Sequence, residues 1–123
     1  MKINGYLRTN GELGIRNHVL IFPTVICASK VAEAISLAVS GTVYVSHPHG
    51  CGHLGKEKTH MLLTMAGFCS NPNVSSVLLV GLGCELMTPE LIAAELERGQ
   101  IRYQILNIQN EEARLPPSIK VLR

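Results

Sequence analysis

Short apolar runs alternate with amphipathic stretches along this chain. Residues 18–25, HVLIFPTV, are a continuous, β-branched run that reads as a strand buried on both faces and ended by Pro23. Residues 28–39, ASKVAEAISLAV, place Val31, Ile35, Ala38 and Val39 at helical spacing, with Ser29 as candidate N-cap and Gly41 closing the helix. TVYVS (42–46) reads as a second strand and KEKTHMLLTMAGF (56–68) as a second helix with an apolar stripe of Leu62, Met65 and Ala66. After an Asn71-Pro72-Asn73 turn, VSSVLLVGLG (74–83) is the clearest strand. Thr88-Pro89-Glu90 supplies a cap, a proline at the first helical position and an acid in the first turn, so a third helix runs to Gly99. IRYQILNIQ (101–109) is a fourth strand. Upstream, Asn10-Gly11 favours the positive φ of a type I′ turn and predicts a small hairpin over 5–16.

The order is β-α-β-α-β-α-β. Alternation at this spacing predicts parallel strands joined by right-handed crossovers, hence an α/β three-layer sandwich around a Rossmann-like parallel sheet of four strands. The expected organisation is one domain: an N-terminal hairpin segment (1–17), the core (18–109) and a polar extension with a Pro-Pro break (110–123).

Composition narrows the functional classes. A chain of 123 residues with 46% hydrophobic residues can bury a core. Its net charge of +2, with Trp absent and few other aromatics, argues against nucleic-acid binding. No apolar run is long enough to span a bilayer, so no membrane partner is expected. MKINGYLRTNGELG lacks the apolar core of a signal peptide, so the cytoplasm is the expected compartment. The four cysteines then read as reduced thiols or metal ligands rather than disulfides. The nine acidic residues are all Glu, so carboxylate chemistry rests on Glu alone.

On the predicted topology, Cys27, Cys51 and Cys84 follow the first three strands. All three fall in β→α loops at the carboxyl edge of the sheet, where open α/β folds bind ligands, and each precedes a helix N-terminus. Cys69 lies at the opposite pole and reads as structural. No C-x-x-C spacing marks a standard zinc site. In HPHGCGH (47–53), His47 and His49 are spaced to point the same way, which suits a metal ligand or a general acid/base, while Gly50 and Gly52 let a ligand approach the backbone. His53 is a weaker candidate because it nears the helix, and His60 reads as a surface or packing residue. Arg16, Asn17 and His18 stand at the entrance to the first strand, the wrong pole unless the hairpin folds over; Arg16 is a candidate clamp for a substrate carboxylate. Gly81-Leu82-Gly83 lacks the third glycine and follows the third strand, so NAD is not expected.

GYLRTNGELGIRNHVLIFPTVICAS, HPHGCGHLG and NPNVSSVLLVGLGCE, in that order, resemble the altronate dehydratase/galactarate dehydratase family of sugar-acid dehydratases, which also includes a sulfolactate sulfo-lyase large subunit. The likeness runs from about Gly5 to Gln109. It implies an iron-dependent hydro-lyase that converts an aldonate or aldarate such as altronate to a 2-keto-3-deoxy acid. It also implies a multidomain enzyme, in which this α/β segment is the second domain, followed by a large C-terminal domain or joined by a companion subunit. The chain as given is expected to lack that part and to be inactive alone. Under this reading Cys27, Cys51 and Cys84 bind iron, as Fe(II), an iron–sulfur cluster with one open iron, or another divalent metal in its place. His47 or His49 shuttles the proton, Arg16 and His18 join the catalytic set, and Arg16, Asn17, Gly50, Gly52 and Glu85 contact the sugar acid. The alternatives are a non-catalytic binding or assembly module derived from that family, a related sulfo-lyase subunit, or a plain metal site made by His47, His49 and Cys51. A homo-oligomer is also expected.

Overall fold

A computed structural model describes residues 1–52 and 54–111. His53 and residues 112–123 of the expected polar extension lie outside them. Among the described residues, six strands and four α-helices follow in order: β1 (Tyr6–Leu7), β2 (Leu13–Gly14), β3 (His18–Pro23), α1 (Ser29–Ala38), β4 (Thr42–Tyr44), α2 (Gly55–Cys69), β5 (Val74–Gly81), α3 (Pro89–Arg98), β6 (Tyr103–Asn107) and α4 (Ile108–Glu111), with a 3-10 turn at Ile26–Ala28. Strands β4-β3-β5-β6 form one parallel sheet, and β1 and β2 form a separate antiparallel hairpin.

Given this strand order, handedness decides which face each helix covers. The β3→β4 crossover runs one way across the sheet, and β4→β5 and β5→β6 run the other. Right-handed connections therefore put α1 on one face and α2 with α3 on the opposite face. The two buried clusters match this. Leu20, Phe22, Val77 and Leu79 pack under Met65, Cys69, Ile92 and Leu96 of α2 and α3. Ile21 and Val80, one residue out of phase on the same strands, pack under Ala32 of α1 with Val25 and Ala28. The carboxyl-terminal ends of β3 and β5 are thus buried on both faces, whereas Val19, Ser76 and Leu78 nearer the amino-terminal end line an open depression of about 400 Å³ beside α1. Each fully buried aliphatic or aromatic side chain stabilises the fold by about 1.5–3 kcal/mol. Among the described residues, no helix is long and apolar enough to cross a membrane.

Two local expectations are corrected. Ser29 is not the N-cap of α1. The 3-10 turn runs directly into the helix, Ala28 takes the cap position, and the Ser29 hydroxyl is buried with no hydrogen-bond partner. The Asn10-Gly11 turn is not type I′ either. Only Gly11 has positive φ (89°), and its N–H donates to the Arg8 carbonyl at 3.0 Å while the Arg8 N–H donates to Glu12 O at 2.8 Å. A four-residue turn, Arg8 to Gly11, ending on a left-handed glycine does the work of the expected two-residue turn. The Thr88 cap is as expected: its hydroxyl accepts from the Leu91 N–H, with Pro89 opening the helix.

The hairpin docks at the amino-terminal end of the sheet. Arg8 pins it there by donating to Pro72 O at 2.7 Å, Arg16 O at 2.8 Å and Asn17 Oδ1 at 2.9 Å. Gly14 permits the close approach, since a Cβ there would lie 2.0 Å from the Pro72 carbonyl oxygen.

Candidate functional site

The sheet order creates a switch point between β3 and β5, because the chain leaves these neighbouring strands toward opposite faces. In open α/β folds the crevice at such a point, outside the carboxyl ends of the strands, is where ligands bind. The segments that leave β3, β4 and β5 meet there, joined by main-chain hydrogen bonds. The Ile26 N–H donates to His49 O at 2.8 Å, the Leu86 N–H to Cys51 O at 3.2 Å, and the Thr24 N–H to Val80 O at 3.0 Å. The HPHGC loop is therefore held on one side to the Cys27 turn and on the other to the Cys84 loop.

Cys27, Cys51 and Cys84 are all exposed on this edge, whereas Cys69 ends α2 on the core side. Burial pushes the Cys69 thiol up to about 12, so it stays protonated as a core residue. Three solvent-facing thiols on joined loops have the donor chemistry of an iron site. Their side chains are not gathered: among the described residues, no three of the His, Cys, Asp or Glu side chains are grouped closely enough to hold a metal ion.

The two histidines of the loop differ. His47 stacks between Phe22 (ring centroids 5.8 Å apart) and His49 (5.4 Å), so the rings do share a side, as their spacing predicts. The His47 Nε2 lies 2.7 Å from the Pro23 carbonyl oxygen, which can only accept, so Nε2 carries the proton. Its Nδ1 accepts from the His49 main-chain N–H at 3.2 Å. Both ring nitrogens of His47 thus hold the loop's shape. His49 lines a cavity of about 90 Å³ with Phe22, Met61 and Phe68, and also an open depression of about 440 Å³ bordered by Lys56, Glu57 and His60. The expected surface residue His60 thereby faces the same depression as His49.

Glu85 is 5% exposed. Its Oε1 accepts from the Thr24 hydroxyl at 2.8 Å and the Leu82 N–H at 3.0 Å, and its Oε2 accepts from the Gly83 N–H at 2.7 Å. Burial alone would raise its pKa. The amides of Gly83 and Glu85, the Thr24 hydroxyl and the Leu82 amide together outweigh it and hold the carboxyl below the ordinary carboxylate range. A depressed folded-state pKa gives stability that is complete above the unfolded value, about 4.3, and is lost as pH falls through the folded one. Denaturant melts of the wild type and Glu85→Gln should therefore converge as pH drops below about 4. A gap independent of pH would contradict the assignment.

Gly81 and Gly83 have a packing and turning role here. A Cβ on Gly81 would lie 2.4 Å from Pro89 Cγ, 2.6 Å from Glu85 Oε1 and 2.7 Å from Asn107 Oδ1. Gly83 turns the chain at φ 122°, a conformation that side-chain-bearing residues rarely adopt.

Arg16, Asn17 and His18 are not brought to this edge. They stand at the amino-terminal pole, where the hairpin stays: the Asn17 side-chain Oδ1 accepts from Arg8, and His18 pairs with Val74 at the start of β5. Thr24 and Arg8 were missed by sequence reasoning. An isolated threonine after a strand and an arginine in a hairpin carry no spacing signal; only the fold supplies their partners.

Residues 5–122 match the profile of a family described as D-galactarate dehydratase/Altronate hydrolase, second domain. A (2R)-sulfolactate sulfo-lyase subunit beta from Chromohalobacter salexigens is 37% identical over 78 residues, 63% of this chain and 20% of that protein. Altronate dehydratases are similar at 33% identity over 90 residues in Escherichia coli (65% of this chain, 18% of theirs) and 34% over 91 residues in Bacillus subtilis (66% and 18%). The chain spans about a fifth of the length of these relatives. No solved structure gives a significant match.

Proposed function

Since the chain belongs to the D-galactarate dehydratase/altronate hydrolase family, as its second domain, we propose that its carboxyl-edge loops form one wall of the active site of a hydro-lyase acting on a sugar acid, an aldonate or aldarate. The observation that carries this reading is the joining of the Cys27, HPHGC and Cys84 loops at the switch point. Dehydration of a 2,3-dihydroxy acid takes the proton from C2, expels the C3 hydroxyl as water and leaves an enol that tautomerises to the 2-keto-3-deoxy acid. In this reading His49 takes the C2 proton, supported by its position bordering both the cavity and the open depression. The exposed main chain at Gly50 and Gly52 gives the acid an unobstructed surface, since nothing lies within 4 Å of a Cβ at either position. Iron, held by Cys27, Cys51 and Cys84, would offset the carboxylate charge and assist departure of the hydroxyl as a Lewis acid. The opposite wall belongs to a further domain or companion subunit. Arg16, Asn17 and His18, on the far pole, would serve a second surface of that assembly.

A second reading has its own support: a relative of 37% identity is a sulfo-lyase subunit. The same proton abstraction would then precede loss of sulfite rather than water. Titrating isotope-labelled protein with altronate, galactarate and sulfolactate separates these readings. Amide shifts confined to residues 47–52 and 84–86 with a sugar acid support the hydro-lyase. Shifts with sulfolactate alone favour the sulfo-lyase. No localised shift with any of the three overturns the placement of the site.

A further inference from the structure

We infer that Glu85 is a positioning residue: its buried carboxylate clamps the loop leaving β5 to the loop leaving β3 and so fixes the Cys84 thiol at the switch point. It does not touch the sugar acid.

Every polar partner of this carboxylate is a donor. The Thr24 hydroxyl comes from the β3 side, and the Leu82 and Gly83 amides come from the β5 side. Hydrogen bonds to an ionised acceptor are roughly twice as strong as neutral ones, so three of them on a buried carboxylate make a stiff joint. Cys84 lies between Gly83, whose amide is held, and Glu85, which does the holding. The thiol's main chain is therefore fixed on both sides, while its side chain stays exposed. Thr24 is three residues before Cys27, so the same joint ties the two cysteine-bearing loops across the crevice. The sequence around the carboxylate is shaped to admit it: Gly81 leaves the space that Oε1 occupies, and Gly83 turns its N–H onto Oε2.

Substrate contact does not fit this site. Glu85 is 5% exposed. A carboxylate already saturated by donors would also repel an anionic acid rather than bind it. Glutamine cannot replace it, because its amide NH2 would face one of the three donors.

The clamp rests on the proposed active site for what the thiol is used for, but its placement can be measured by itself. The test is pulse alkylation of the native chain, with each cysteine quantified by mass spectrometry, in wild type, Glu85→Gln and Thr24→Val. Cys51 serves as the exposed reference and Cys69 as the reporter of global opening. In both variants the Cys84:Cys51 rate ratio is expected to rise several-fold while Cys69 remains protected. Thr24→Val removes no charge, so a rise there cannot come from losing the neighbouring carboxylate's field. It also covers the case in which Glu85→Gln folds poorly. An unchanged ratio in Thr24→Val, or Cys84 and Cys69 accelerating together, would overturn the clamp. Failure of every acid to bind would sink the active-site reading and leave the labelling result standing.

Discussion

Gly81→Ala is expected to lower the stability of this domain by about 3 kcal/mol, against the few tenths usual for a surface substitution. The added methyl meets three atoms at 2.4–2.7 Å, and none of them is free to yield. Pro89 is buried and opens α3, so moving its ring moves the start of the helix. Glu85 Oε1 is held by Thr24 and Leu82. The Asn107 side chain ends β6 and donates to Glu90 at 3.3 Å. Overpacking of this kind costs about 1–3 kcal/mol, and disturbing a buried hydrogen-bonded group costs a further 1–3 kcal/mol or so. Urea unfolding measures the sum. Gly50→Ala is the internal contrast: nothing lies within 4 Å of its Cβ, and its midpoint should stay within about 0.5 kcal/mol of wild type. If Gly81→Ala matched Gly50→Ala, the close packing at the end of β5 would be refuted.

This contrast shows which parts of the molecule a sequence discloses. The apolar runs at 18–25 and 74–83 announced their strands because the carboxyl-terminal halves of β3 and β5 are buried on both faces, which replaces polar alternation by a continuous apolar run. The β→α placement of Cys27, Cys51 and Cys84 followed from element order alone, and so did the far-pole position of Arg16. The strand order was not legible, because it depends on which way each crossover turns, and no local pattern records that. Without it the switch point could not be located. The Ser29 cap failed because a 3-10 turn extends the helix backwards, a choice made by tertiary packing of Val25 and Ala28 rather than by a capping residue. Glu85 was expected to contact substrate, and its burial was not legible. A glutamate between a cysteine and a leucine carries no burial signal until Thr24, some sixty positions away, is folded against it. His47 and His49 looked equivalent for the same reason: what separates them is a carbonyl on Pro23, contributed by another strand.

That separation yields the largest functional effect. If the proposed hydro-lyase reading holds, His49→Ala in an enzyme assembled with this domain should reduce kcat/KM by about 10²–10⁴-fold, the usual contribution of a positioned general base. The acidic limb of its pH profile should disappear with it, since that limb reports protonation of the base in the free enzyme. His47→Ala acts differently. It removes a donor to Pro23 O and an acceptor for the His49 N–H, so it loosens the loop at a stability cost of about 1–3 kcal/mol. Activity falls as the loop wanders, but His49 remains, and the acidic limb remains with it. The asymmetry follows from what each ring borders and from the main-chain bonds of His47. A ring whose Nε2 proton is given to a carbonyl and whose Nδ1 lone pair is taken by an amide has neither a free acceptor for a substrate proton nor a route to release one. His49 shares the loop and the stack, yet it faces the cavity and the open depression. Steady-state kinetics of both variants as a function of pH distinguish the roles. Loss of the limb in His47→Ala with its retention in His49→Ala would reverse the assignment and make the stacked inner ring the base.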